Sequence, residues 1–411
     1  MIQTGGWLRS LGWWAVAYAV FVTPIDFSTL GLASDNGIDG LKWFARFPVW
    51  YLPLVLIGGR WAQLLQAIRL PPISWLLLWT GVAAASVAWS IVPDQSILGG
   101  LAMTSLALLA TWFVYTAGWD AFASAVATGG TALIAAGLID NARDGTLLSE
   151  RSLGLMSAPA NLAQVAALTI VFATMLMWRR PSRLLPLASI TLCLLAMVSA
   201  QTRTPVVGLL VALLYGASQR LPREHRMILT SIIIVGGVAL TLGLGADTLS
   251  RQDDQSDLST FTGRTEIWPV AIDLVTEKPV LGYGASSSET LFEAAANDGR
   301  LGFDASTSHS LPLEAAITGG ILGASLLAVA FASALLRRRR VDAWVVAPVL
   351  FILINGAVEA MINVPTLNVV ILAGSFAAIA FTRPTPAGVG GAVQSAHAAA
   401  AARPPQLPRH V

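Results

Sequence analysis

The chain has 411 residues, 55% of them hydrophobic and only 12% charged, with a mean hydropathy of +0.68. A soluble domain of this length carries about twice that charged fraction, so a water-soluble globule is excluded and no nucleic-acid partner is expected. The net charge of +2 is uninformative until it is divided between two sides of a membrane, and the apolar runs are too long and uninterrupted for a transmembrane β-barrel.

In chain order, apolar runs fall at roughly 11–25, 43–58, 72–92, 96–117, 119–139, 158–178, 184–200, 204–218, 227–246, 311–336, 343–362 and 364–382. They predict an all-α polytopic membrane protein of about 12 transmembrane helices. The first run lacks a following small-residue cleavage site and reads as a retained span. Cys193, the single cysteine, lies inside an apolar run and cannot form an intrachain disulfide. With the N-terminus cytoplasmic and the chain alternating, "RRPSR" (179–183), "QRLPREHR" (219–226) and "RRRR" (337–340) all fall inside. So do sixteen of the 25 Lys and Arg, but only Asp120, Glu224 and Asp342 of the 23 acidic residues. That bias fixes the expected orientation, with both termini cytoplasmic.

The connections divide the chain. Residues 1–246 are expected to hold about nine spans, 247–310 one large external loop, and 311–382 the C-terminal spans. Residues 383–411, rich in Ala, Pro and Gly, are expected to be a disordered cytoplasmic tail. Two short amphipathic helices are predicted in the loop. "TEIWPVAIDLVTE" places Ile267, Trp268, Ala271, Leu274 and Val275 on one side, and Pro269 requires that helix to start close before it. "SSSETLFEAAAND" offers Ser286 and Glu289 as a capping box, followed by a stripe of Leu291, Phe292, Ala295 and Ala296. Both helices are expected on the bilayer surface or capping the bundle. "RQDDQSD" (251–257) reads as a solvated stretch.

Residues able to carry chemistry on the outer face are few. Arg151, Arg203 and Arg264 are the candidate cations. His309 is the only histidine expected outside, since His225 sits in a cytoplasmic basic turn and His397 and His410 in the tail. Each has a plainer reading: an interfacial arginine snorkels to headgroups, and a histidine before a span caps it. Glu266 and Glu314 either orient His309 or cap helices. Glu359, near the outer end of the eleventh run, is an intramembrane carboxylate of the kind that is costly and often functional, or it is shallow enough to meet water. Gly319 and Gly323 are spaced for close helix packing.

Together, "SAQTRTPVVGLLVALL", "TGRTEIWPVAIDLVTEKPVLGYG" and "SHSLPLEAAITGGILG" resemble, in that order, three signature stretches of the bacterial O-antigen ligase and polymerase family. The matching positions are Arg203; Gly263, Arg264 and Trp268; Pro279, Gly282 and Gly284; and His309 with Gly319 and Gly323. "RSLGLMSAPANLAQ" resembles that family's Arg-x-x-Gly stretch, with Pro159 and Asn161 separated where the family has an adjacent pair. Ser310 stands where the family often has Asn. The resemblance covers roughly residues 150–325.

What the resemblance implies is a glycosyltransferase of the bacterial inner membrane with its large loop in the periplasm. It would move a glycan from an undecaprenyl-diphosphate-linked donor to an acceptor hydroxyl. The acceptor is a lipid A-core sugar for a ligase or the growing glycan's end sugar for a polymerase. By the same resemblance, His309 is the catalytic base, Arg203 and Arg264 clamp the diphosphate, and Arg151, Asn161, Trp268, Gly282 and Gly284 contribute to substrate binding. Membrane lipid is the other partner, and no cofactor or metal is expected. The chemistry is coherent. Diphosphate leaves without a general acid, arginine's planar fork suits its oxygens, and imidazole, with a free pKa near ~6.5, is a natural base at neutral pH. A single displacement inverts the anomeric carbon. The competing class is a carrier-lipid flippase, which needs charges along a central path rather than gathered at one face.

Overall fold

The computed structural model describes residues 6–25, 61–146, 153–156, 158–179, 183–218, 222, 264–303, 305–338, 341–357, 359 and 367–381. Among them the chain forms α-helices and no strand: α1 (Gly6–Val22), α2 (Trp61–Ile68), α3 (Ile73–Ala85, continued by a 3-10 turn to Ala88), α4 (Pro93–Ala117) and α5 (Trp119–Arg143). These are followed by α6 (Pro159–Arg179), α7 (Leu184–Ala200), α8 (Thr204–Ser218), α9 (Arg264–Glu277) and α10 (Ser288–Asn297). The last three are α11 (Leu311–Arg337), α12 (Ala343–Gly356) and α13 (Leu367–Phe381). Ten of the expected runs coincide with helices; those at 43–58 and 227–246 lie outside the described residues, as do Arg151, Gly263, the stretch 251–257 and the tail. Four helices, α4, α5, α6 and α11, are long and apolar enough to cross a membrane, and shorter apolar helices accompany them.

Local chemistry sets the boundaries. Pro93 opens α4 with Asp94 in its first turn, where a missing N–H is harmless and a carboxylate favours the helix dipole. Gly118, at φ 87°, ends α4 and starts α5, so the two form a tight antiparallel hairpin. Helix α2 was not anticipated; eight residues flanked by arginines read as a connection in sequence. Helix α12 stops at Gly356, short of the expected limit near 362.

One apolar core runs through the bundle, and small residues let its helices approach closely. A Cβ on Gly216 of α8 would lie 2.6 Å from the Trp344 ring of α12, and one on Gly208 3.0 Å from Phe351 and 3.5 Å from Asn355. These pairs make α8 and α12 antiparallel, so the start of α8 comes level with the end of α12. There Gly356 abuts Leu311, the first residue of α11. At the opposite end, Arg179 closing α6 forms ion pairs with both Asp120, opening α5, and Asp342, the N-cap of α12. All three are residues that charge bias places on one side of the membrane.

The two predicted amphipathic helices form a cap with its own small core. Ile267, Val270, Ala271 and Leu274 of α9 and Phe292 and Ala295 of α10 close over Ile317 of α11. Helix α9 begins at Arg264, close before Pro269 as required. The capping box does not form. Helix α10 starts later, at Ser288, and Ser287 at its N-cap turns its hydroxyl to the Gly284 carbonyl, 2.7 Å away. Ser286 lies in the left-handed region at φ 63°.

Candidate active site

The site is assembled where the cap meets the starts of α8 and α11 and the end of α12. Because α9 buries one face against α10 and α11, Arg264 and Trp268, one turn apart, share another side of the helix. Arg264 Nη2 lies 2.5 Å from Glu359 Oε1, an ion pair in which both side chains are nearly buried, 13% and 14% exposed. The second Glu359 oxygen lies 3.2 Å from Nδ1 of His309, whose ring is 40% exposed. One carboxylate therefore joins the guanidinium to the imidazole. With Glu359 ionised and the imidazole neutral, Nδ1 carries the proton and donates it, which leaves Nε2 as the lone-pair nitrogen.

His309 has φ 49°, a left-handed conformation that costs a non-glycine residue about 1–2 kcal/mol. Its neighbour Ser308, fully buried, is clamped from two sides. The Ser308 carbonyl accepts from Trp268 Nε1 at 3.1 Å. Its backbone N–H donates to Glu314 Oε2 at 3.2 Å, and its hydroxyl lies 3.0 Å from the same oxygen. Glu314 Oε1 accepts from Ser288 Oγ at the start of α10. A buried carboxylate on α11 thus reaches back over the first turn of its own helix, pins the histidine loop and ties it to the cap.

Gly282 and Gly284 serve a different contact. Helix α11 is interrupted at Gly320 (φ 60°, ψ −163°), which frees backbone groups in the middle of an apolar helix. The segment 279–284 satisfies them. Tyr283 and Gly284 N–H donate to the carbonyls of Ile317 and Thr318 at 2.8 and 2.9 Å, and Ile321 N–H donates to the Pro279 carbonyl at 2.8 Å. Non-helical backbone at membrane depth requires such protein partners. A Cβ on Gly282, itself at φ 65°, would sit 2.4 Å from the Ile317 carbonyl oxygen. The close-packed glycine of α11 is Gly320, 2.2 Å by the same measure from the Val280 carbonyl, whereas a Cβ on Gly319 meets nothing. Nearby, Tyr283 donates to Glu277 Oε2 at 2.6 Å; burial and that bond push its phenol up to about 12, so it stays neutral.

Of the residues singled out in sequence, the fold joins His309, Arg264 and Trp268. Arg203, exposed, precedes α8 and supplies its first carbonyl acceptor to Val206 N–H at 3.0 Å, at the same end of the bundle as Glu359. Asn161, half-buried, is in the first turn of α6, at the end opposite Arg179. Glu266 is exposed in the first turn of α9. Two residues acquire roles that sequence left open: Glu359, which joins the Arg264 guanidinium to the His309 imidazole, and Glu314, which holds the loop.

Residues 187–328 match the Wzy_C family, described as O-antigen ligase. The chain thus carries a domain of the O-antigen ligase and polymerase family over that stretch. The matched stretch contains Arg203, Arg264, Trp268, Gly282, Gly284, Glu314 and His309, whereas Asn161 and Glu359 lie outside it. No curated protein matches the chain. That domain supports glycan transfer of the O-antigen ligase or polymerase kind, and the apolar helices support a membrane protein.

Proposed function

We propose that the chain is a multi-pass inner-membrane glycosyltransferase that ligates a glycan from undecaprenyl diphosphate onto a lipid A-core sugar at the periplasmic face. The observation that carries this reading is the shared carboxylate: Glu359 holds both Arg264 and His309, so a cation suited to phosphate and a base of defined tautomer lie within one side chain of each other. Twelve spans with cytoplasmic termini and a periplasmic 247–310 loop fit the Arg179, Asp120 and Asp342 cluster at one end and His309 at the other.

In the reaction, Nε2 of His309 takes the proton of the acceptor hydroxyl as its oxygen attacks the anomeric carbon. The new glycosidic C–O bond forms as the bond to diphosphate breaks, and that electron pair leaves with the phosphate. Arg264 and Arg203 stabilise the charge that develops there, the largest contribution in many such sites. Arg151, which lies outside the described residues, and Asn161 belong to the donor-binding surface in this reading, and Trp268 acts by holding the Ser308 carbonyl. The arginines supply the stabilisation, so the step needs no metal, and a single displacement inverts the anomeric carbon.

Deleting the gene and examining lipopolysaccharide with the carrier-lipid pool tests ligation. A ligase leaves long glycan on the carrier and bare lipid A-core. Single repeat units on the carrier would instead identify a polymerase, and an unchanged glycan profile would overturn both.

A further inference from the structure

The Arg264 and Glu359 pair raises a question that the transfer reaction leaves unanswered. A guanidinium meant for a diphosphate is here already neutralised by a carboxylate at 2.5 Å, in a setting where both groups are nearly buried. Charges so placed interact strongly and are little screened by salt. An incoming diphosphate meets a cation whose field is largely cancelled, and a carboxylate that repels it. Both cannot hold the same Nη2 edge at full strength.

The carboxylate's geometry suggests how this is resolved. Its two oxygens are divided, Oε1 to Arg264 and Oε2 to His309 Nδ1 at 3.2 Å. One contact can break while the other persists. Arg264 is the first residue of α9, at a helix N-terminus where an anion is favoured whether it is a carboxylate or a phosphate. The two anions therefore compete for the same positive end.

We propose that Glu359 is a resident counter-ion occupying the seat of a donor phosphate, and that donor entry transfers Arg264 from the carboxylate to the phosphate while Glu359 stays on His309. This rests on the diphosphate-donor reading above and adds a second role to the residue. In the empty site Glu359 keeps a buried arginine from being an uncompensated charge. In the loaded site it keeps the Nδ1 proton of His309, so that Nε2 remains the lone-pair nitrogen while the phosphate holds Arg264. Glu359 is a positioning residue with opposite effects on donor affinity and on turnover.

The test uses full-length protein in nanodiscs, with inorganic pyrophosphate as the probe and calorimetry as the readout. Glu359→Gln keeps the shape and removes the charge. It should bind pyrophosphate about tenfold more tightly than wild type, and Arg264→Ala in the same background should abolish the gain. Glu359→Ala should show the same gain, which keeps the test available if the glutamine is poorly tolerated. Turnover should fall in both variants although the probe binds better. Equal or weaker pyrophosphate binding in both, with wild-type binding still dependent on Arg264, overturns the counter-ion role and leaves the diphosphate reading standing. Absence of Arg264-dependent binding in every protein overturns both.

Discussion

Glu314→Ala probes how the histidine is held. The side chain is buried and takes bonds from the Ser308 N–H, the Ser308 hydroxyl region and Ser288. Its removal strands buried donors, each at a cost of about 1–3 kcal/mol, and these relax by moving the loop. The left-handed conformation of His309 then loses its support. It is disfavoured by about 1–2 kcal/mol, and each ~1.4 kcal/mol is tenfold in population. The competent conformer should therefore become a minor one, and kcat should drop about 5- to 30-fold. KM for the lipid-linked donor should stay within about twofold, because Arg264 is held separately by α9. The assay is transfer from a polyprenyl-diphosphate-linked glycan in proteoliposomes, scaled to folded protein by a thermal melt. Glu314→Gln, which keeps one acceptor oxygen, should fall between the two. A folded alanine variant with kcat within twofold of wild type would falsify the clamp.

Three further outcomes follow from the same geometry. Arg203→Lys keeps the charge but not the fork, and should lose on the order of 2–4 kcal/mol of transition-state stabilisation in kcat/KM; near-wild-type transfer would return Arg203 to headgroup snorkelling. Gly282→Ala forces a Cβ into the Ile317 carbonyl at a positive φ and should destabilise the α11 break by several kcal/mol, on the order of a strained backbone plus overpacking. An unchanged melting temperature would show that the 279–284 clasp is dispensable. Tyr283 has its phenol raised from 10.0 to about 12, so the stability it contributes is full below pH 10 and is lost as pH rises through about 12. Tyr283→Phe should flatten the alkaline limb of the melting profile, and an identical limb in both proteins would contradict the assignment.

Much of the architecture is legible in sequence because lipid imposes it. A span must be apolar for its whole length, so run limits and helix limits agree closely from α3 to α8. Arg264 and His309 are likewise visible, each at the edge of a patterned segment, and Trp268 within one. What sequence hides is contact between distant segments. Glu359 was noticeable as a carboxylate in an apolar run, but its partners are 50 and 95 residues away, and only the antiparallel packing of α8 and α12 and the seating of Gly356 on Leu311 bring them together. Glu314 reads as an ordinary first-turn acid until the loop doubles back. The capping box failed for a related reason: Gly284 and Ser287 bond to each other locally, and that turn outcompetes the expected cap. At the α11 break, the spacing of Gly319 and Gly323 drew attention to the wrong pair, because the demand for a glycine at Gly320 comes from the Val280 backbone rather than from another helix.

The central claim is that a base at the edge of the membrane deprotonates the acceptor while the arginines hold the donor. Single-turnover transfer by purified wild type and His309→Ala, with preloaded polyprenyl-diphosphate-linked glycan and no ion gradient, tests it most directly. The expected result is a folded variant that still retains donor but transfers about 10²–10⁴-fold more slowly, the usual contribution of a positioned base. Transfer at the wild-type rate by His309→Ala, with donor bound, would contradict it.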